Sequence, residues 1–342
     1  MKFFIAALIF FVALIAMLAF TIFLYIRLVI AVRSNSEVPK WMYKIGHALR
    51  TRIATYKDFT DKSVLNEVNA YIVGVVILSI AAYFIFDGRY FTNNKIAFCM
   101  YTEFAIIIIM RFVILIGKLL VPFILPKIKK SDYNFNRSAA ANAVIGMFLM
   151  SMLACVLTLN MTGLPVKAPI VQVEEDEIIV GHTRADDLLS KGFTFSGKAP
   201  NDIIENKRDS HFRFGETVEL IKDGEGYGYV NLTPQYKDKA ELEDCVITYF
   251  GITSKSKMFD RIKICGESIS KLSFDRFKNE NIKDIFSLSP MSYQESKGNE
   301  YFSIKMQTYP YMLWERYTID TTFFSDEQSK QFEVFAQHTL WE

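Results

Sequence analysis

A membrane-embedded, all-α half of four helices followed by an extracytoplasmic α+β domain is the fold class this sequence predicts, and three observations predict it. Four apolar stretches lie within residues 1–162, each of the length needed to cross a hydrocarbon layer of about 30 Å. Charge changes sign at the same place: 17 Lys/Arg stand against 7 Asp/Glu up to residue 162, and 22 against 30 beyond it, so a net +10 is followed by a net −8. Patterning changes there too, from unbroken apolar runs to short alternating segments separated by Gly and Asp. The predicted parts are a transmembrane region 1–162, a linker 163–178, and two related α+β units, 179–258 and 259–342. Each unit is a helix followed by an antiparallel meander. Hydrophobic residues make up 51% of the 342, and the abundance of Ile, Phe, Lys and Asn is that of a low-GC bacterial genome.

The first span, Phe3–Ile26, is charge-free. A cleavable signal peptide would have an apolar core of about 7–15 residues and then a small-residue cleavage site. Here the run continues through FLYIRLVIAV, which predicts a retained helix. Arg33–Glu67 is polar and basic, with Lys40, Lys44, Arg50, Arg52, Lys57 and Lys62. Within it Trp41, Ile45, Ala48, Leu49, Ile53 and Tyr56 recur at helical spacing. Two readings fit that pattern: a helix lying on the inner leaflet, or a solvated cytoplasmic helix packed on the bundle. Asn69–Phe86, Ile96–Ile116 and Ala139–Leu159 are the second, third and fourth spans. The loops holding most of the Lys/Arg, 33–67 and 126–137, should face the cytoplasm. The N-terminus and the 163–342 domain then lie outside, and the lipid bilayer is the first partner. No basic stripe occurs on the outer half, so nucleic acid is excluded as a partner.

Glu103, Arg111 and Lys118 put three ionisable groups on one side of the third span and its inner flank. They could line a solute path. The simpler reading is that Glu103 lies near the outer boundary while Arg111 and Lys118 snorkel to the inner one. In the fourth span, Ala139, Ala143, Gly146, Ser151, Ala154 and Cys155 are small residues that let helices approach closely.

In the outer half, Glu174–Glu177 (EEDE) is read as a solvated turn, because no Gly-centred calcium-ligand spacing follows. Thr183 with Asp186 gives a T-x-x-[DE] capping pattern, and Leu188, Leu189 and Gly192 complete a short helix. Thr217–Ile221 and Tyr227–Leu232 flank Asp223-Gly224, a hairpin signal. Cys245–Ile252 is a further strand. After Gly266 the order repeats, with strands at Met291–Gln294, Tyr301–Met306, Met312–Thr318 and Phe332–His338.

These segments carry a resemblance. G-x-T-x-x-D-x-L-L-x-x-G-F at Gly181–Phe193, G-Y-x-Y-V at Gly226–Val230, L-x-D-C-V-I at Leu242–Ile247 and I-x-I-C-G-x-x-I-S-K-L-S at Ile262–Ser273 resemble a tandem extracytoplasmic module of Gram-positive lipoproteins. The second unit is also similar to the helix-plus-meander of β-lactamase-inhibitor-like folds. The resemblance covers residues 170–342 and implies a binding or scaffold protein without a catalytic site. Such relatives hang from one lipidated cysteine. Here there is no early lipobox cysteine, and four helices take its place.

G-x-S-x-G, H-E-x-x-H, C-x-x-C and a Walker loop are all absent; no metal or cofactor is expected. His182, His211 and His338 are scattered. The aromatic run Tyr309, Tyr311, Trp314 and Tyr317 is a candidate binding surface for an envelope protein or a glycan, with core burial of some of its members as the alternative. Cys245 and Cys265 would face each other if their strands paired antiparallel, which makes them a candidate disulfide. The functional expectation is a non-enzymatic binding module held at the cell membrane. The alternatives are a small-solute transporter or channel component and an envelope enzyme.

Overall fold

The computed structural model describes residues 2–50, 55–86, 95–124, 137–209, 213–309, 313–324 and 329–338; the side chains of residues 2–4, 86, 95–98, 115 and 118–124 lie outside that description. The chain divides into two compact units: Leu8–Asn160, and Met161–Glu342 together with Met1–Ala7.

The first unit is helical. Its helices are α1 (Lys2–Arg33), α2 (Lys40–Ala48), α3 (Lys62–Phe86), α4 (Lys95–Ile124) and α5 (Ala139–Thr162). Among the described residues three helical segments are long and apolar enough to cross a membrane: Ile5–Arg33, Lys62–Ile85 and Ala139–Thr162. Their composition makes this a membrane-associated protein. A two-residue parallel pairing joins β1 (Tyr56–Lys57) to β2 (Arg137–Ser138) and so brings the two basic loops together. Of the three segments, α5 is the one most enclosed by the others: Ala139, Ala140 and Ala143 are wholly buried. Its small residues act as the spacing predicts. Ser151 Oγ meets Thr21 Oγ1 at 2.9 Å.

For α2 the bundle-packed alternative fits. Met42, Tyr43 and Gly46 are its buried residues, whereas Trp41 is 39% exposed and stacks on Phe23 with ring centroids 6.1 Å apart. The expected helical stripe ends early. Ile53 lies outside the described residues, and Tyr56 belongs to β1.

The second unit is built from antiparallel strands and short helices. In chain order these are β3 (Ile170–Val173), β4 (Asp176–Ile179), α6 (Ala185–Ser190), β5 (Phe193–Phe195), β6 (Ile203–Glu205), β7 (Glu216–Lys222), β8 (Glu225–Thr233), β9 (Lys239–Glu241), β10 (Val246–Thr253), β11 (Ile262–Ile264), β12 (Glu267–Ser268), α7 (Phe274–Asn279), α8 (Ile282–Ile285), β13 (Tyr293–Lys297), β14 (Tyr301–Met306), β15 (Arg316–Phe323) and β16 (Lys330–Gln337). Eight of the strands form one sheet in the order β13-β14-β15-β16-β10-β8-β7-β5. A four-stranded sheet runs β12-β11-β3-β4, and β6 pairs with β9.

The β7–β8 hairpin turns where Asp-Gly predicts it. Asp223 (φ 53°) and Gly224 (φ 79°) are both left-handed, as a two-residue primed turn requires. One apolar cluster joins both larger sheets to the helices, through Val171, Ile178, Leu188, Phe250, Ile262, Phe277, Ile304 and Phe332. Phe277 of α7 lies 5.4 Å from Phe302 and 5.6 Å from Phe323, centroid to centroid. Each fully buried ring of this kind contributes about 1.5–3 kcal/mol.

Three expectations change. The segment read as a linker carries a strand, β3, because Ile-Val-Gln-Val alternates and Glu174 (φ 57°) turns it into β4. The EEDE run is therefore a hairpin turn, and it is anchored rather than merely solvated: Tyr227 Oη donates to Glu174 Oε1 at 2.8 Å, and Lys222 Nζ donates to Asp176 Oδ2 at 2.7 Å. The cap of α6 sits one residue later than Thr183 predicts. Arg184 N donates to Asp187 Oδ2 at 3.0 Å, while Thr183 Oγ1 accepts from Ile179 N at 2.8 Å.

Candidate functional site

The eight-stranded sheet has two unlike faces, and strand alternation generates them. On β14, β15 and β16 one set, Phe302, Ile304, Ile319, Phe323, Phe332 and Val334, enters the core. The other set is polar or aromatic. Register places Ser303 opposite Asp320, Asp320 opposite Glu333, Glu333 opposite Gly251, and Gly251 opposite Tyr229. One row of side chains thus crosses five strands on the face away from the core.

Glu333 is the best-held member of the row. Its Oε1 accepts from Tyr249 Oη at 2.6 Å and from the Arg213 guanidinium at 2.9 Å. That guanidinium lies 3.5 Å above the Tyr249 ring centroid, so charge pairing and cation–π attraction act together. Burial pushes the Tyr249 hydroxyl well above the usual phenol range, with the Glu333 charge next in importance. Arg213 is placed by a segment lying against β8. Phe214 O accepts from Asn231 Nδ2 at 2.5 Å and from Thr233 Oγ1 at 2.6 Å.

Asp320 differs. Burial raises its carboxyl above the usual range and the Glu333 charge adds to that, while Ser303 and Tyr301 partly offset it. Its Oδ1 is buried and has no hydrogen-bond partner among the described residues. On the same face, Thr318 Oγ1 is also buried without a partner among the described residues. Around this centre Tyr229 is 54% exposed and Tyr301 43% exposed. The arrangement can accept hydrogen bonds and positive charge, and it can stack planar groups. Among the described residues no group of three or more His, Cys, Asp and Glu could hold a metal ion.

The residues singled out from the sequence fall elsewhere. Tyr309, Trp314 and Tyr317 do not form an exposed patch. Trp314 Nε1 donates to Gly163 O at 3.1 Å, and the Tyr309 ring packs where a Cβ on Gly163 would sit. Tyr317 is 2% exposed and its hydroxyl donates to the Glu315 carboxylate. The aromatics hold the chain at 163–164 and fill the core, and Tyr311 lies outside the described residues. His182 Nε2 meets Tyr317 Oη at 3.0 Å and His338 Nε2 meets Leu313 O at 3.2 Å, both as structural contacts. His211 lies outside the described residues.

Cys245 and Cys265 are free thiols. The strand pairing behind the expected disulfide is absent: β10 lies between β8 and β16, and β11 between β12 and β3. Cys265 instead lines a cavity of about 460 Å³.

In the helical unit, Glu103 is exposed and Arg111 half-buried. Arg111 Nη2 donates to Asn142 Oδ1 at 2.9 Å, and Asn142 Nδ2 donates to Gly46 O at 2.6 Å. The side chain of Lys118 lies outside the described residues. Glu67, which the sequence places in a loop, and Asn142, hidden in an apolar span, both line a cavity with Arg111. No protein-family model, curated protein or solved structure matches this chain.

Proposed function

We propose that this chain is a multi-pass membrane protein whose outer α+β domain is a non-enzymatic binding module, and that the polar sheet face is its contact surface. The observation that carries this reading is the buried, unpartnered Oδ1 of Asp320 beside the Glu333 carboxylate. A buried acceptor left unsatisfied costs about 1–3 kcal/mol, and a hydrogen-bond donor or cation from a partner would recover that cost. The exposed rings of Tyr229 and Tyr301 supply apolar contact around it, the composition of an interface. An envelope protein presenting a basic side chain fits this chemistry better than a glycan, because the centre is acidic.

In this reading α4 is the third of four spans and α5 the fourth. The basic loops face the cytoplasm, and the N-terminus and the 163–342 domain lie outside. The two halves of the domain are then related units. The eight-stranded order reads outward from the β10/β16 join as β10-β8-β7-β5 on one side and β16-β15-β14-β13 on the other, and the small sheet likewise from its β3/β11 join. Each unit begins with a two-stranded hairpin, so the units start near residues 170 and 262 rather than 179 and 259. Cys265 and Gly266 form the β11–β12 turn, whose counterpart is the β3–β4 turn at Glu174 and Glu175.

Two experiments test the reading. A reporter active only outside the cytoplasm should be active after Glu342 and silent near Lys57. In the intact cell, a photo-crosslinking residue at 229 should give discrete adducts that vanish with Asp320→Asn, whereas one at the exposed Lys263 of the small sheet should give none. Adducts that ignore both position and Asp320 would remove the sheet face as the contact surface.

A further inference from the structure

A cavity of about 380 Å³ lies within the helical unit, at the lower end of the range for small-ligand sites. Its lining is divided. Arg111, Arg137, Glu67, Ser138 and Asn142 are among its polar members, and Ile108, Phe112, Ile145 and Leu149 among its apolar ones. The division follows from the chain. Arg137 and Ser138 form β2, immediately before α5, where the two basic loops meet. Ile145 and Leu149 lie further along α5, and at 1.5 Å per residue Leu149 is about 15 Å from the helix start, half the thickness of a hydrocarbon core. The polar end is thus at the level of the loops, and the apolar end reaches into the span.

The polar end is cationic on balance, with the guanidinium groups of Arg111 and Arg137 against the one carboxylate of Glu67. Among the described residues no carboxylate lies within ion-pair distance of Arg111 or Arg137. Arg111 donates only to an amide oxygen and a backbone carbonyl, Asn142 Oδ1 at 2.9 Å and Leu49 O at 3.5 Å, while Arg137 lies 6.0 Å from the Tyr56 ring centroid. A guanidinium keeps its charge, and a half-buried charge without a counter-ion is costly. The start of α5 adds the positive end of a 24-residue helix to the same corner. Phe112 lines the cavity and is 59% exposed, so part of the apolar lining reaches the outer surface of α4.

A cationic corner beside an apolar lining that reaches the outer surface of α4 matches a molecule with an anionic head and a hydrocarbon tail. We propose that the cavity binds a phospholipid of net negative head-group charge, with the phosphate at Arg111 and Arg137 and the first part of an acyl chain along Ile145 and Leu149. Forked guanidinium groups suit phosphate oxygens.

The test uses the full chain purified in a neutral detergent, with the thermal unfolding midpoint read against added phosphatidylglycerol, phosphatidylcholine or inorganic phosphate. Phosphatidylglycerol should raise the midpoint saturably, and the other two should not. An equal shift from phosphatidylcholine would make the head group irrelevant and overturn the proposal. An equal shift from inorganic phosphate would leave an anion site but overturn the lipid. Arg137→Gln should weaken the half-saturating concentration about tenfold, the scale of one charge-assisted hydrogen bond; an unchanged value overturns the proposal. If that variant does not fold, Leu149→Trp decides. It fills the apolar end, leaves both arginines and every basic loop in place, and should abolish the phosphatidylglycerol shift. A full shift in Leu149→Trp would mean that the lipid acts on the basic surface, and the cavity assignment fails.

Discussion

Asp320 and Glu333 stand directly opposite each other on β15 and β16, on the face of the sheet that turns away from the core. Two carboxylates so placed repel, and like charges opposite across a ladder destabilise it. Glu333 is paired with the Arg213 guanidinium and accepts the Tyr249 hydroxyl. Asp320 bears the consequence, with its carboxyl raised chiefly by burial. A carboxyl raised in the folded state favours folding most when protonated. Its contribution is complete below the ordinary aspartate value of about 3.9 and is lost as pH rises through the elevated folded value. At neutral pH, then, Asp320 is a liability, which is what a residue kept for contact with a partner would be.

Asp320→Asn should therefore stabilise the outer domain at pH 7, by about 1 kcal/mol on the usual scale of single substitutions. The gain should shrink as pH falls toward 4. Hydrogen exchange of the β15 and β16 amides in the full chain, measured across that range, reads the difference. Equal protection of both proteins at every pH would mean that Asp320 titrates normally.

Arg213→Ala should do the opposite. The Arg213 and Glu333 side chains are only 21% and 23% exposed, so removing the cation leaves a carboxylate half-buried and facing Asp320. Breaking a fully buried pair costs about 3–5 kcal/mol; this pair keeps some water, and a loss of about 2 kcal/mol is expected. Adding Glu333→Gln to Arg213→Ala should restore part of it. Strict additivity of the two changes in denaturant unfolding would show that the pair is not coupled.

None of this row was legible in the sequence, and the reason is physical. Asp320 and Glu333 each read as an ordinary outward residue of an alternating strand, and only the pairing register makes them neighbours. The β7–β8 hairpin was legible because Asp223-Gly224 is a local backbone signal. The strand β3 was missed because four residues between Pro169 and an acidic run carry too little pattern. Arg111 stood out as a charge in an apolar run. Its surroundings did not: Asn142 is one amide among small residues, and Glu67, which lines the same cavity, sits one turn inside a helix whose apolar run starts later. The aromatic run 309–317 was conspicuous for a different reason from the one expected, since Trp314 and Tyr309 hold the backbone near Gly163.

Close approach of α2 to α5 depends on Gly46. A Cβ there would stand 1.8 Å from Ala139 O, and the Asn142 bond to Gly46 O crosses the same gap. Gly46→Ala should lower the stability of the full chain in detergent by about 1–3 kcal/mol, the range for overpacking. Gly117→Ala is the control. Nothing lies within 4 Å of a Cβ at that helical position, so it should be neutral or stabilising by up to about 1 kcal/mol. Similar midpoints for the two variants would show that α2 does not need the close contact.

The two outer cysteines give the last prediction. Cys245 is wholly buried, its Sγ donates to Glu241 O at 3.4 Å, and burial pushes its thiol up to about 12. Only the thiolate reacts quickly, so Cys245 should resist maleimide at pH 7.5 as long as the domain is folded. Cys265 is half-buried beside a cavity; burial raises its thiol too, partly offset by a hydrogen bond from the Ile170 backbone and by the Lys167 charge. It should label slowly but measurably. In a background with Cys99 and Cys155 replaced by Ala, denaturation without reductant should expose two thiols, and single replacements of Cys245 and Cys265 by Ser assign them. A disulfide would require β10 or β11 to leave its own sheet, because neither strand neighbours the other. Zero thiols in the unreduced, denatured chain would mean that the sheets are paired differently from the order described here; one rapidly labelled thiol at Cys245 would mean that the β10 end of the core is open.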